Sequence, residues 1–241
     1  MASYNFENAQ QTLSWSAPIA VVRGDVPKMS AVNKFGYNSA VGTSAFETIW
    51  DGNNVYTYIA SASVASAASD AAASADDNAT VTVYGLDANY NEVQETLTVG
   101  GSAGSVQFYR IFRAILVTHP TGDTNVGDIT ITCDSKSAAI IQAERGQTLM
   151  AIYTVPAKKR AYLVQVDAGA SKDLEHEIQL IVKHNGGVWN TKAYFTQRGG
   201  FNALKFEIPI VIPAESDIEI RAQGSATAAV SAGFELLLED T

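Results

Sequence analysis

One local pattern, used twice, constrains this chain more than any other feature. Thr154-Val155-Pro156-Ala157 leads into Ala161-Tyr162-Leu163-Val164-Gln165-Val166, and Val211-Ile212-Pro213-Ala214 leads into Asp217-Ile218-Glu219-Ile220-Arg221. In each, an apolar residue, a proline and an alanine close one apolar segment, and an alternating segment opens a few polar residues later. Proline has no amide hydrogen to give a central ladder, so it belongs at a strand end. Two such strand, proline turn, strand units so close together predict a β-sandwich.

The rest of the chain reads as all-β in three parts. Residues 144–241 follow the boundary Glu144-Arg145-Gly146-Gln147 and hold predicted strands near 148–155, 161–168, 176–184, 189–197, 203–212, 217–223 and 230–239. Gly186-Gly187 turns one hairpin and Gly199-Gly200 makes another bend, which together predict a C-terminal jelly-roll-like β-sandwich. Residues 61–143 read as a small β-domain. Its clearest unit is a hairpin, Thr80–Tyr84 and Glu95–Val99, around a polar loop from Gly85 to Glu92, with further strands in Arg110–His119 and Gly127–Cys133. Ser61–Ala75 is nearly all Ala and Ser, without the apolar stripe that anchors a helix, and reads as an extended edge segment or loop.

Residues 1–60 show little periodicity but carry Trp15, Phe35, Tyr37, Phe46, Trp50, Tyr56 and Tyr58, with Pro and Gly interrupting every candidate element. So many aromatics are costly to leave in water. This segment is expected to be an extended N-terminal arm lying across a surface, its own or another subunit's.

Composition limits the function. Only 17% of residues are charged, against roughly 25% for an average soluble domain, a mix suited to surfaces covered by neighbours. A net charge of −9 argues against nucleic acid, which needs clustered Lys and Arg. Cys133 is the only cysteine, so no intrachain disulfide forms, and alternation with Ile129 and Ile131 puts it on an apolar face. The start, Met-Ala-Ser-Tyr-Asn, lacks the marks of a signal peptide, and no apolar run approaches the ~20 residues of a membrane helix. The expectation is a soluble chain made in a cytoplasm and needing no membrane.

Signals for chemistry are weak. Asp87-Ala88-Asn89-Tyr90-Asn91 has the start of a calcium loop, but Glu92 and Thr98 stand where Gly and Glu are needed, so it reads as a turn. Asp70, Asp76 and Asp77 could offer oxygens to a hard cation, with solvated loop carboxylates the plainer reading. His119, His176 and His184 are too scattered for a triad or a metal site. Nucleophile-elbow, P-loop and zinc-protease motifs are all missing. No catalytic residue, cofactor or metal is expected. Lys158-Lys159-Arg160, the only basic cluster, is a solvated loop or an electrostatic contact with an acidic partner.

Ser61–Asp70, Thr80–Asp87, Asn89–Glu92, Glu95–Val99, Arg110 and Asn125–Ile129 follow one another along the middle of the chain, and Gly146–Ala157, Gly187–Thr191 and Val230–Glu235 along its later half. In these segments, over roughly residues 30 to 241, the chain resembles virion structural proteins of tailed bacteriophages, particularly those of cyanobacterial and other aquatic hosts. The chain departs from the family at Lys158, where relatives often have Gly. The resemblance implies a non-enzymatic part of the particle and supplies no catalytic residues. The sharper expectation is a capsid decoration (cement) protein on the virion head surface that binds and stabilises the shell through its N-terminal arm, partnered by the major capsid protein and by itself, with a trimer favoured. Trp15, Phe35, Tyr37 and Trp50 are the expected partner-binding anchors, since aromatics dominate interface hot spots. The alternatives are a tail or head-fibre adhesin, using aromatics of the Gly186–Trp189 and Gly199–Phe201 loops on a host receptor, and a carbohydrate-active enzyme on the same fold.

Overall fold

The computed structural model describes residues 17–241; the predicted anchor Trp15 lies outside them. The described chain is all-β apart from a short helix, α1 (Ala17–Val22), and one 3₁₀ turn (Ala72–Ser74). Its strands begin with β1 (Met29–Val41), β2 (Glu47–Thr48), β3 (Ser63–Ser69), β4 (Thr80–Leu86), β5 (Glu92–Thr98), β6 (Gln107–Phe108) and β7 (Arg110–Thr118). They continue with β8 (Ile129–Cys133), β9 (Lys136–Ile141), β10 (Ile152–Thr154), β11 (Lys159–His184), β12 (Asn190–Ile212), β13 (Ser216–Gly224) and β14 (Ala228–Asp240).

The repeated proline motif does what its chemistry predicts. In both copies the second residue after the proline is left-handed, Lys158 at φ 60° and Glu215 at φ 58°. One copy joins β10 to β11, the other β12 to β13. Lys158 therefore keeps the conformation that a Gly would take without strain. Its neighbours are tied down locally: Lys159 pairs with Asp240 at 3.1 Å and Glu92 at 3.7 Å, and Arg160 with Glu239 at 3.7 Å. The basic cluster answers this chain's own carboxylates.

Four predicted strands merge into two. β11 runs 26 residues and β12 runs 23, forming one long antiparallel ribbon. It bends where Ser171 to Leu174 stand against a single residue, Gly199, and both Gly199 and Gly200 have positive φ. The glycines let the ribbon turn a corner without breaking. Before the corner, β11 pairs with β14, and β14 with β1; beyond it, β11 pairs with β13, which also takes β10 and β2. One hydrogen-bonded sheet thus curls into two layers. Leu163, Val166, Phe234 and Leu236 of the first face Ile178, Leu180, Ile218 and Ile220 of the second in one core.

β1 corrects the described part of the arm read in residues 1–60: residues 29–41 are a sheet strand paired with β14, and residues 1–16 lie outside the described residues. Its alternation was hidden because the inward residues are Lys34, Gly36 and Asn38. Gly36 is needed for closure, since a Cβ there would lie 2.2 Å from the Ile49 carbonyl and 2.4 Å from the Ala151 amide. Trp50, Tyr56 and Tyr58 lie in or against the second core, stacked edge to face with ring centroids 5.0 and 4.9 Å apart.

Residues 63–141 form two smaller sheets, β6-β3-β8-β9 and β5-β4-β7, packed around the second core. Ala65 and Ala67 in the Ser/Ala-rich segment face that core from β3, where small side chains allow close sheet packing. Cys133 is buried there, its thiol donating to the Ser63 carbonyl at 3.2 Å, and burial pushes its pKa up to about 11.

A buried polar junction ties these sheets to the large one. Arg110 of β7 makes a two-pronged pair with Asp217 of β13, at 2.8 and 3.1 Å. It also donates to the Tyr109 carbonyl at 2.9 Å, and Thr154 donates to Asp217 at 2.7 Å. Tyr109, Tyr58 and Tyr90 surround the guanidinium, ring centroids 4.2, 5.1 and 5.8 Å away. The charges are paired, hydrogen-bonded and caged, which is what burial of an ion pair demands.

Candidate functional surface

The outward face of the layer β1-β14-β11-β12 is the surface that stands out. Cross-strand register puts Tyr37, Ser231, Gly169 and Phe201 in one row across four strands. The next row is Phe35, Gly233, Asp167 and Ala203, followed by Asn33, Glu235, Gln165 and Lys205. Directly opposed residues share a face, so these side chains all point away from the core. Tyr37 and Phe201 stand three strand spacings apart, about 14 Å, with only Ser and Gly between them. The result is a shallow groove of about 350 Å³ with aromatic walls and a floor of small residues. Gly169 keeps that floor low: a Cβ there would touch Ser231 Oγ at 3.4 Å and the Phe201 ring at 3.8 Å.

β12 is the outer strand, and among the described residues no strand pairs with its far edge. Phe201 is 70% exposed and Val211 55%. Between them the ladder opens, with Phe206 to Pro209 standing against the single residue Val164, and Ile208 at the crest is 86% exposed. Pro209 and this bulge blunt the edge against indiscriminate strand pairing. They leave the apolar side chains in place. Asp167 and Glu235 are acids on the face; the Asp167 carboxyl is pushed up by partial burial against a hydrogen bond from Gln165.

The predicted anchors divide. Phe35 and Tyr37 are on this face, Phe35 being 42% exposed. Trp50 is not: it is 6% exposed, and its indole N–H donates to the Asn53 carbonyl at 2.7 Å. An aromatic sealed in the chain's own core has no surface to offer, so Trp50 is corrected to a structural residue. Phe201, named for the adhesin alternative, shares a row with Tyr37. Trp189, from the other loop named there, stacks on Tyr58 with centroids 5.9 Å apart and under Arg221 at 5.5 Å.

Of the acidic residues weighed as cation ligands, Asp70 and Asp76 are occupied, and Asp77 is exposed. Val126 and Gly127 donate backbone amides to the two oxygens of Asp76 at 2.7 and 2.9 Å, and Asp128 donates to Asp70 at 2.7 Å. Asp76 is fully buried, which by itself would raise its carboxyl. Hydrogen bonds from Ser69, Val126, Gly127 and His119 outweigh that and hold it down to about 2. These carboxylates staple the 126–128 loop. Asp87 caps its own hairpin loop, accepting from the Asn89 and Asn91 amides at 2.8 and 2.9 Å. Among the described residues no group of acidic, His or Cys side chains is placed to hold a metal.

No family model matches the chain, and no curated protein matches it. Solved structures to which it is similar include that of PirA, at 12% identity over 34% of this chain and 77% of that one, TM-score 0.27. Empty top-component particles of cowpea mosaic virus give 9% identity over 77% and 85%, TM-score 0.23. The infectious bursal disease virus Gt strain gives 12% over 93% and 78%, TM-score 0.24. At such TM-scores the overlap carries no argument about function, which rests on the chain's own surface.

Proposed function

We propose that this chain is a non-enzymatic virion structural protein, most specifically a capsid decoration protein that seats the outward β1-β14-β11-β12 face on neighbouring shell subunits. The observation that supports the reading is the row Tyr37-Ser231-Gly169-Phe201 beside the apolar edge of β12. Aromatic walls around a floor of small residues, at an exposed apolar edge, are the marks of a surface made to be covered. Covering the face would remove apolar area from water at about 25 cal/mol per Å² before association costs. The resemblance to phage virion proteins points the same way. Residues 29–41 take part through their outward side chains while remaining a sheet strand, so the anchors of the reading are Phe35, Tyr37 and Phe201.

The test is the copy number of the chain relative to the major capsid protein in purified particles. A simple fraction near one supports decoration. A ratio of a few per hundred moves the chain to the tail or a vertex. The adhesin reading draws on the β11–β12 hairpin tip, where Val188 is 75% exposed, and would then lead.

A further inference from the structure

A second cleft lies on the other side of β1, between that strand and the β4–β7 face of the smaller sheets. It has a volume of about 310 Å³, and its lining includes Lys34, Arg113, Phe112, Tyr84 and Tyr153. Lys34 is an inward residue of β1 and only 3% exposed. Its ammonium donates to the Phe112 carbonyl and lies 5.9 Å from the centre of that ring. Arg113 reaches the neighbouring Asn33 carbonyl at 3.4 Å. Neither cation forms a salt bridge with any carboxylate of the described residues. Glu92, the acid on the rim, has its side chain 56% exposed and pairs with Lys159.

Two basic side chains that face one cleft without a carboxylate between them are an incomplete arrangement. Burial, and then the neighbouring Arg113 charge, push Lys34 well below the usual lysine range, which is what a basic group without a counter-charge undergoes, and a bound carboxylate would supply that counter-charge. The contrast within this molecule is direct, because Arg110, also buried, has Asp217. The rest of the cleft wall is largely apolar: Val32, Ile115, and the Phe112 and Tyr153 rings packed 4.9 Å apart. A bare inorganic anion would leave that wall uncovered. We propose that this cleft binds a small carboxylate with a flat apolar body, the carboxylate bridging Lys34 and Arg113 and the body lying against Phe112 and Ile115. The volume is at the lower end of ordinary ligand sites, at roughly 300 Å³ and above, which limits the body to about one ring.

The experiment is calorimetric titration of the full chain with benzoate, with benzamide as the uncharged analogue and inorganic phosphate as the anion without a body. Benzoate is expected to bind at least tenfold more tightly than either. Lys34→Met and Arg113→Gln are each expected to weaken benzoate at least tenfold, with folding of both variants checked by circular dichroism melting. Lys34→Met removes the buried amine; Arg113→Gln leaves Lys34 in place and supplies the answer should the first variant fail to fold. Benzoate binding no tighter than benzamide, or unchanged in a folded Lys34→Met or Arg113→Gln variant, overturns the proposal. Phosphate binding as tightly as benzoate overturns the claim of an organic body.

Discussion

The junction around Arg110 and the outward face around Tyr37 and Phe201 are built on opposite principles. At the junction, polar groups are buried and answered: Arg110 has Asp217, Asp217 has Thr154, and three tyrosines close over the pair. On the outward face, apolar groups are exposed and left open, with glycine and serine beneath them. The first region finishes an interface within the chain, and in the proposed reading the second begins one that a neighbour would complete. Where a fold's own contacts are saturated, substitution costs stability. Where they are open, it costs association.

The largest expected effect is at the junction. Arg110→Ala leaves Asp217 buried without its partner and should lower unfolding free energy by about 3–5 kcal/mol, read by urea denaturation. The double variant Arg110→Met, Asp217→Leu should lose less, because no charge is then left unpaired. A double loss equal to or beyond the single one would break the idea that pairing is what holds the seam.

Closure of the two layers at Gly36 should come next. Gly36→Ala forces a methyl group against the backbone of Ile49 and Ala151 and should cost about 1–3 kcal/mol, measured the same way.

Two buried carboxyls sharpen the comparison through pH. Asp76, held down to about 2, contributes stability that is present above its unfolded pKa near 4 and lost as pH falls towards 2; the amount is about 2 kcal/mol. Asp51 has the opposite sign. Burial raises its carboxyl to about 7 against the Leu149 amide, and its Oδ1 has no hydrogen-bond partner. A raised acid contributes stability below its unfolded pKa that is lost as pH rises to about 7. Melting temperature followed against pH should therefore rise between pH 2 and 4 in the parent and lose that rise in Asp76→Asn. Asp51→Asn should remove a decline between pH 4 and 7.

A smaller effect is expected at the repeated turn. Lys158→Gly should stabilise by up to about 1 kcal/mol, since glycine takes a left-handed conformation without strain. Smallest of all for stability are Tyr37→Ser and Phe201→Ser, expected within about 0.5 kcal/mol of the parent, while particle binding falls at least tenfold.

Much of the fold was legible because its signals are local. The proline turns, the Thr80–Val99 hairpin and the glycine bends each state their geometry within a few residues. β1 was not legible, because its inward residues are Lys34, Gly36 and Asn38, and hydrophobic alternation cannot be seen where the buried residues are polar or absent. The outward face was half legible. Aromatics at positions 35 and 37 mark β1, but their meeting with Phe201 depends on registers across three strand pairs that no sequence spacing records. Gly169 and Gly233, glycines inside alternating segments, were the available signal that something approaches the sheet closely there. Arg110 with Asp217, 107 residues apart, and Lys34 with Arg113 are products of tertiary packing alone.

The most direct measurement of the central claim is hydroxyl-radical footprinting of Phe35, Tyr37 and Phe201, comparing the free chain with the chain on purified particles. The account predicts ready oxidation of all three in the free chain and strong protection on the particle, with Val188 at the far hairpin tip unchanged. Equal oxidation of Tyr37 and Phe201 in the two states would contradict it, because the face said to be made for covering would be bare where it should be covered.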